Sequence, residues 1–94
     1  MGNDYALHLE PGRAIKEMVH QSQSSQKKLA ELAGYKHLSS VTTPIARNDM
    51  LLSSMIRLAD ALGYDLMLVK RHNIENQPNI VVERPAGQKE ADAV

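Results

Sequence analysis

The sequence predicts a mainly α-helical domain of four or five short helices followed by a C-terminal β-hairpin. Apolar residues recur at helical spacing through residues 12–62, whereas from residue 64 they form short aliphatic runs separated by turn residues. The 94 residues include no cysteine, tryptophan or phenylalanine, so we expect one small domain with an aliphatic core and no disulfides. A core of this size gives marginal stability, which favours pairing with a second copy.

Two helices are predicted in the first third of the chain. The first covers residues 12–19 and follows Pro11, a residue suited to the start of a helix. The second covers residues 26–33 and ends at Gly34, which tolerates the left-handed conformation of a helix C-terminus. For the second helix, the expected cap is Ser24 or Ser25, and the expected buried residues are Leu29, Leu32 and Ala33.

A third short helix is predicted before residue 48, and its start has two alternatives. In one, Ser39 or Ser40 caps the helix, and Pro44 then removes a hydrogen bond from the second turn because it has no N–H. In the other, Thr43 is the cap and Pro44 occupies the first helical position, where no bond is lost. The two alternatives present different side chains to solvent.

The fourth helix is predicted to start at Ser53 or slightly earlier and to end at Gly63. Its apolar residues follow the spacing of one buried helical stripe. The residues expected to face inward are Leu52, Met55, Ile56, Ala59 and Leu62.

The β-hairpin is predicted over residues 64–84. Residues 64–71 carry apolar side chains on both faces of a strand, and a turn-rich segment then leads to a second aliphatic strand. An isolated two-stranded hairpin is marginally stable in water, and the face turned away from the helices would be uncovered. We therefore expect the hairpin to join two copies. The expected dimerisation residues are Leu66, Met67, Leu68, Val69, Ile80 and Val82, and residues 85–94 are expected to form a disordered tail.

Charge is distributed unevenly along the chain, although 11 Lys and Arg balance 11 Asp and Glu. Residues 12–48 hold six cations and two anions, a net charge of +4, whereas residues 1–11 and 49–94 each sum to −2. A locally basic surface attracts polyanions because electrostatic steering follows the nearby field. Charge alone is equally compatible with an ordinary solvated helix surface.

Two segments of the chain carry a recognisable pattern: SQKKLAELAG at residues 25–34, followed by Val41 in a hydroxyl-rich helix, and MIRLADALG at residues 55–63. The first resembles the helix-turn-helix of the phage-repressor (Cro/XRE-like) family, and the second resembles that family's fourth helix. Together they cover roughly residues 13–63. The pattern has a physical basis, because Ala30 is small enough for two helices to cross closely.

The resemblance implies a homodimeric, sequence-specific DNA-binding regulator, most simply a repressor that blocks a promoter. Residues 11–63 would form the DNA-binding domain, with the second helix across the phosphate backbone and the third in the major groove. The two copies would read half-sites about one helical turn apart. The residues implied to contact double-stranded DNA are Gln26, Lys27, Lys36, His37, Ser39, Ser40, Thr42, Thr43 and Arg47.

A competing interpretation is an antitoxin-like or phage-encoded module that binds another protein, such as a toxin, and binds DNA only secondarily. The acidic second half favours it. We expect no enzymatic activity and no cofactor, because the sequence has no Gly-x-Ser-x-Gly, Gly-x-Gly-x-x-Gly or P-loop pattern. We also expect no metal site, since no two of the four histidines are spaced to share a helical face.

The sequence also carries an expectation about location. The first ten residues contain acids where a signal peptide has cations, and they contain no long apolar stretch. The aliphatic run at residues 66–69 is too short to span a bilayer. We therefore expect a cytoplasmic protein without membrane association, in agreement with the lack of cysteine.

Overall fold

The computed structural model describes residues 6–85, which form four helices and one antiparallel β-hairpin. This confirms the predicted mainly helical class with a C-terminal hairpin. The expected disordered tail lies, apart from exposed Pro85, outside the described residues. The elements are α1 (Pro11–Gln21), α2 (Gln26–Leu32), α3 (Ser39–Arg47), α4 (Leu52–Ala61), β1 (Leu66–Leu68) and β2 (Ile80–Val82). None of the helices in this part of the chain has the length and apolar character needed to cross a membrane.

The helices surround one aliphatic core. α1 contacts each of the other three helices, and α2 contacts both α3 and α4. Leu29 and Val41 are fully buried, and Leu58 is 1% exposed. Each such side chain contributes about 1.5–3 kcal/mol by leaving water. The core cluster consists of Ile15, Met18, Val19, Leu29, Ala30, Ala33, Val41, Ile45, Leu58 and Ala59.

Two leucines that the periodicity placed in the core are exposed instead. Leu32 is 51% exposed because it lies outside the buried side of α2, which Leu29, Ala30 and the following Ala33 form. Leu52 is 59% exposed because it is the first residue of α4, whose buried residues begin only at Ile56. The prediction was therefore wrong at the ends of these helices.

The first predicted start of α3 is confirmed in placing Pro44 inside the helix, although the capping residue is Leu38 and not Ser39 or Ser40. The alternative start, with Thr43 as the cap, was wrong. The helix begins at Ser39 with Leu38 at the capping position and no side-chain cap, and Pro44 lies inside the helix. Starting there buries Val41 and Ile45, which are 0% and 4% exposed and one helical turn apart. Proline in a helix interior costs about 3 kcal/mol, whereas burying two aliphatic side chains contributes about 1.5–3 kcal/mol each. Burial outweighs the lost hydrogen bond.

The start of α1 is fastened to the end of α3 by Asn48. The Gly12 N–H donates a hydrogen bond to Asn48 Oδ1 at 2.7 Å, and Asn48 Nδ2 donates one to Glu10 Oε1 at 2.7 Å. Asn48 has φ 60° and ends α3 in the left-handed conformation that Asn tolerates. A Cβ atom at Gly12 would overlap the carbonyl oxygen of Ile45. The two helices therefore meet where only glycine fits.

We predict that Gly12→Ala lowers the free energy of unfolding by about 1–3 kcal/mol, because the added methyl group has no space between α1 and α3. The loss is expected although alanine is the better helix former. Urea unfolding followed by circular dichroism measures the change. Lys16→Ala, at an exposed position of the same helix, is the control and should stay within about 0.5 kcal/mol. A Gly12→Ala protein as stable as the parent would contradict the close approach.

Candidate nucleic-acid interface

α2 and α3 pack against each other through buried aliphatic residues and leave their opposite faces in solvent. α2 begins where predicted, since the Oγ atom of Ser25 accepts a hydrogen bond of 3.0 Å from the Lys28 N–H. It ends before Gly34, which has φ 81° as predicted. Both ends of α2 are therefore set by local sequence signals, the Ser25 cap and Gly34.

The solvent face of α3 is small and polar. Ser39, Thr43 and Arg47 are exposed and lie four residues apart, so they follow one line along the helix. Val41 and Ile45 occupy the opposite side and are buried. Ser40 and Ala46 flank the exposed line, and Thr42 is half-buried at its edge.

The remaining residues implied to bind DNA lie on α2 and in the α2–α3 turn. Lys27 is exposed on α2, and Gln26 beside it is half-buried. Lys36 and His37 are exposed in the turn that precedes α3. The structure therefore brings Ser39, Ser40, Thr43 and Arg47 to one face of α3, with Lys36 and His37 directly before it along the chain.

Positive charge dominates this helix pair. Residues 26–47 contain four Lys or Arg and one acid, Glu31, a net charge of +3. All five of these side chains are exposed. Such a surface attracts polyanions, and the attraction weakens with salt. The four cations are Lys27, Lys28, Lys36 and Arg47.

Arg57 contacts the α2–α3 turn, a role that was not predicted from the sequence. The Nε–H of Arg57 donates a hydrogen bond of 2.7 Å to the carbonyl oxygen of Ala33, and the guanidinium carbon lies 4.0 Å from the centre of the Tyr35 ring. The turn comprises residues 33–38, which is longer than the usual three or four residues of a helix-turn-helix. Arg57 thus restrains a long turn from α4.

The hairpin has the predicted position and pairs Leu66 with Val82, Met67 with Val81 and Leu68 with Ile80. Its base is attached to the helices, because the Tyr64 hydroxyl donates a hydrogen bond of 3.0 Å to Gln21 Oε1. Exposure increases away from that base. Leu66 and Val82 are half-buried, whereas Met67 is 42%, Leu68 59%, Val69 41%, Ile80 61% and Val81 42% exposed.

The expected dimerisation residues are therefore divided between the two faces of the hairpin. Leu66, Leu68, Ile80 and Val82 share one face, and Met67 lies on the other, because side chains alternate along a strand. Val69 directly follows the last residue of β1. Val81, which was not among the expected residues, lies on the second face opposite Met67. Both faces of the hairpin are apolar.

No metal centre is formed by the described residues, since nowhere in residues 6–85 do three or more His, Asp or Glu side chains come together as ligands would. Comparison with known proteins gives no significant match to a family model, a curated protein or a solved structure. A functional conclusion must therefore come from the geometry and charge of the chain itself.

We predict that Arg57 and Tyr35 are energetically coupled. In a double-mutant cycle with Arg57→Met and Tyr35→Leu, the coupling energy should be about 0.5–1 kcal/mol, the range of a partly exposed cation–π contact. Urea unfolding of the four proteins gives this quantity. Tyr35→Phe keeps the ring and should leave the coupling unchanged. Additive effects of the two substitutions would show that the guanidinium does not stabilise the turn through Tyr35.

Proposed function

We propose that this chain is a sequence-specific DNA-binding regulator of transcription that acts as a homodimer, with α3 in the major groove and α2 across the phosphate backbone. The observation that carries the proposal is the exposed, cationic α2–α3 pair. In this pair, α3 presents small polar side chains on the side opposite its buried face. The sequence pattern of residues 13–63, which resembles the phage-repressor family, is consistent with the proposal.

The chemistry of the α3 face suits base edges. Hydroxyl groups donate and accept hydrogen bonds, and methyl groups contact the C5-methyl of thymine. Ser39 and Thr43 supply the hydroxyls, while Arg47 has the paired donors that fit the N7 and O6 atoms of guanine. Short side chains also let the helix backbone approach the floor of the groove.

Affinity would come mainly from phosphate contacts, which carry no sequence information. Lys27 and Lys28 are exposed on α2, and Lys36 is exposed in the turn. A mechanism follows in which these cations hold the protein on any duplex while α3 selects the operator. Occupation of a promoter would then exclude the polymerase.

We predict that Lys27→Ala weakens binding to all duplexes alike. It should also reduce the magnitude of the slope of log affinity against log salt by about 1.8, because about 0.9 is lost for the phosphate contact of each of the two copies. Thr43→Ala should instead change sequence preference and cost about 1–3 kcal/mol on the selected site. Fluorescence anisotropy on duplexes selected from a random pool measures both. Glu31→Gln is a control of opposite sign, because removing the acid should tighten binding. Absence of any DNA binding at low salt would reject the proposal.

Two half-sites require two copies, and the hairpin offers the surface for them. Its apolar residues are exposed on both faces, and a strand pair this short is marginally stable without cover. Pairing with a second copy would remove these side chains from water. The same contact would fix the separation of the two α3 helices.

We predict that the protein sediments as a dimer at micromolar concentration and that Val81→Glu raises the dissociation constant more than tenfold, which corresponds to about 1.4 kcal/mol. The reason is the cost of burying a carboxylate in an apolar contact. Leu51→Glu is the matched control, since Leu51 is 74% exposed and lies outside the hairpin. A parent protein that is monomeric in analytical ultracentrifugation would exclude this dimer.

A second candidate function is a protein-binding module of the antitoxin type. One observation favours this function. Several leucines on and beside the cationic helices are exposed, and DNA binding does not need apolar side chains at these positions. Their exposures are 51% for Leu32, 44% for Leu38, 74% for Leu51 and 59% for Leu52. Exposed apolar groups of this kind commonly mark protein contacts. An electrophoretic mobility shift assay at low salt, with and without residues 85–94, separates the candidates, because sequence-selective retardation of duplex fragments is expected of the DNA-binding regulator and not of a module whose DNA contact is secondary.

A further inference from the structure

An apolar groove opens on the side of the molecule where the hairpin leaves the helices. Its volume is about 550 Å³, and its walls come from the N-terminal segment, α1, α4 and β1. Leu9, Met55 and Met67 are among its apolar lining residues. The charged groups in its lining are the acids Glu17 and Asp65. The groove therefore combines an apolar surface with negative charge.

The hairpin of the same chain is complementary to the groove, because it combines exposed apolar residues with a positive charge. Met67 and Val81 form one apolar face of the hairpin, Val69 directly follows β1, and each of the three side chains is more than 40% exposed. Arg71 follows two residues after Val69 and is exposed. The hairpin loop has a defined shape, because Asn73 Oδ1 accepts a hydrogen bond from the Gln77 N–H at 2.8 Å and Asn73 Nδ2 donates one to the Gln77 carbonyl at 2.7 Å.

We propose that the groove of each copy receives the hairpin of a second copy, with Met67, Val69 and Val81 on its apolar wall and Arg71 near Glu17 and Asp65. This interface rests on the homodimer of the proposed function and specifies which surfaces form it. A chain cannot fill its own groove with this hairpin, because Met67 is already part of the wall. A second copy supplies the same surface from outside.

The hairpin-to-groove contact is reciprocal, because every copy carries both a groove and a hairpin. A two-fold pair therefore forms the contact twice, as expected of an isologous dimer. Joining the hairpins only at their strand edges would satisfy backbone groups but leave both apolar faces in water. Face-to-groove packing removes both the exposed hairpin face and the groove from solvent.

Cysteine cross-linking tests this arrangement without background, because the chain has no cysteine. Ala14→Cys places a thiol in the groove, and Val69→Cys places one directly after β1. When the two single variants are mixed and oxidised, we expect a mixed disulfide dimer at a yield at least about tenfold above that of Val69→Cys mixed with Lys16→Cys, because proximity raises the effective thiol concentration. Leu9→Cys is a second groove position if Ala14→Cys folds poorly.

The outcomes distinguish this interface from the homodimer itself. Equal yields with Ala14→Cys and Lys16→Cys would overturn the groove contact while the protein remains a dimer in sedimentation. A monomer in sedimentation would overturn the proposed homodimer as well. DNA binding by the parent protein is measured separately by anisotropy, so neither result is confused with loss of the DNA-binding function.

Discussion

The contact between the start of α1 and the end of α3 determines how the exposed face of α3 is presented. Asn48 forms it by accepting a hydrogen bond from Gly12 and donating one to Glu10. These partners lie 36 and 38 residues away along the chain. Because the same residue ends α3 in a left-handed conformation, one side chain both stops the helix and fixes its direction. Any side chain at Gly12 would separate the two helices.

The position of α3 also depends on the residues that the helix buries. Val41 and Ile45 hold it to the core, and the cost of Pro44 within the helix is offset by their burial. Arg57 then restrains the turn that leads into the helix by bonding to Ala33. Both ends of α3 are therefore constrained, which is a condition for reading base edges with short side chains such as those of Thr43.

Local signals made part of this fold predictable. Pro11, Ser25 and Gly34 act through their own backbone or capping properties, so their roles were visible in the sequence. The sequence left two alternatives for the start of α3, and the structure has the one with Pro44 inside the helix. The Gly12–Asn48 and Arg57–Tyr35 contacts were not predictable, because each joins residues distant in the chain that only the folded structure brings together. The sequence predicted which residues belong to the candidate site. Which of them share one face of α3 depends on the helical register around Pro44, which the structure gives.

In the proposed homodimer, the hairpin would make assembly depend on protein concentration. Its two strands have three residues each, and its distal residues have little contact with the helices, so the monomer gains little by ordering it. Cover from a second copy would stabilise both the hairpin and the dimer, and binding of the dimer to DNA would stabilise them further by mass action. Pairing and operator binding would then be linked equilibria, in which the helical half supplies recognition and the hairpin supplies the second copy that gives the duplex two matched half-sites.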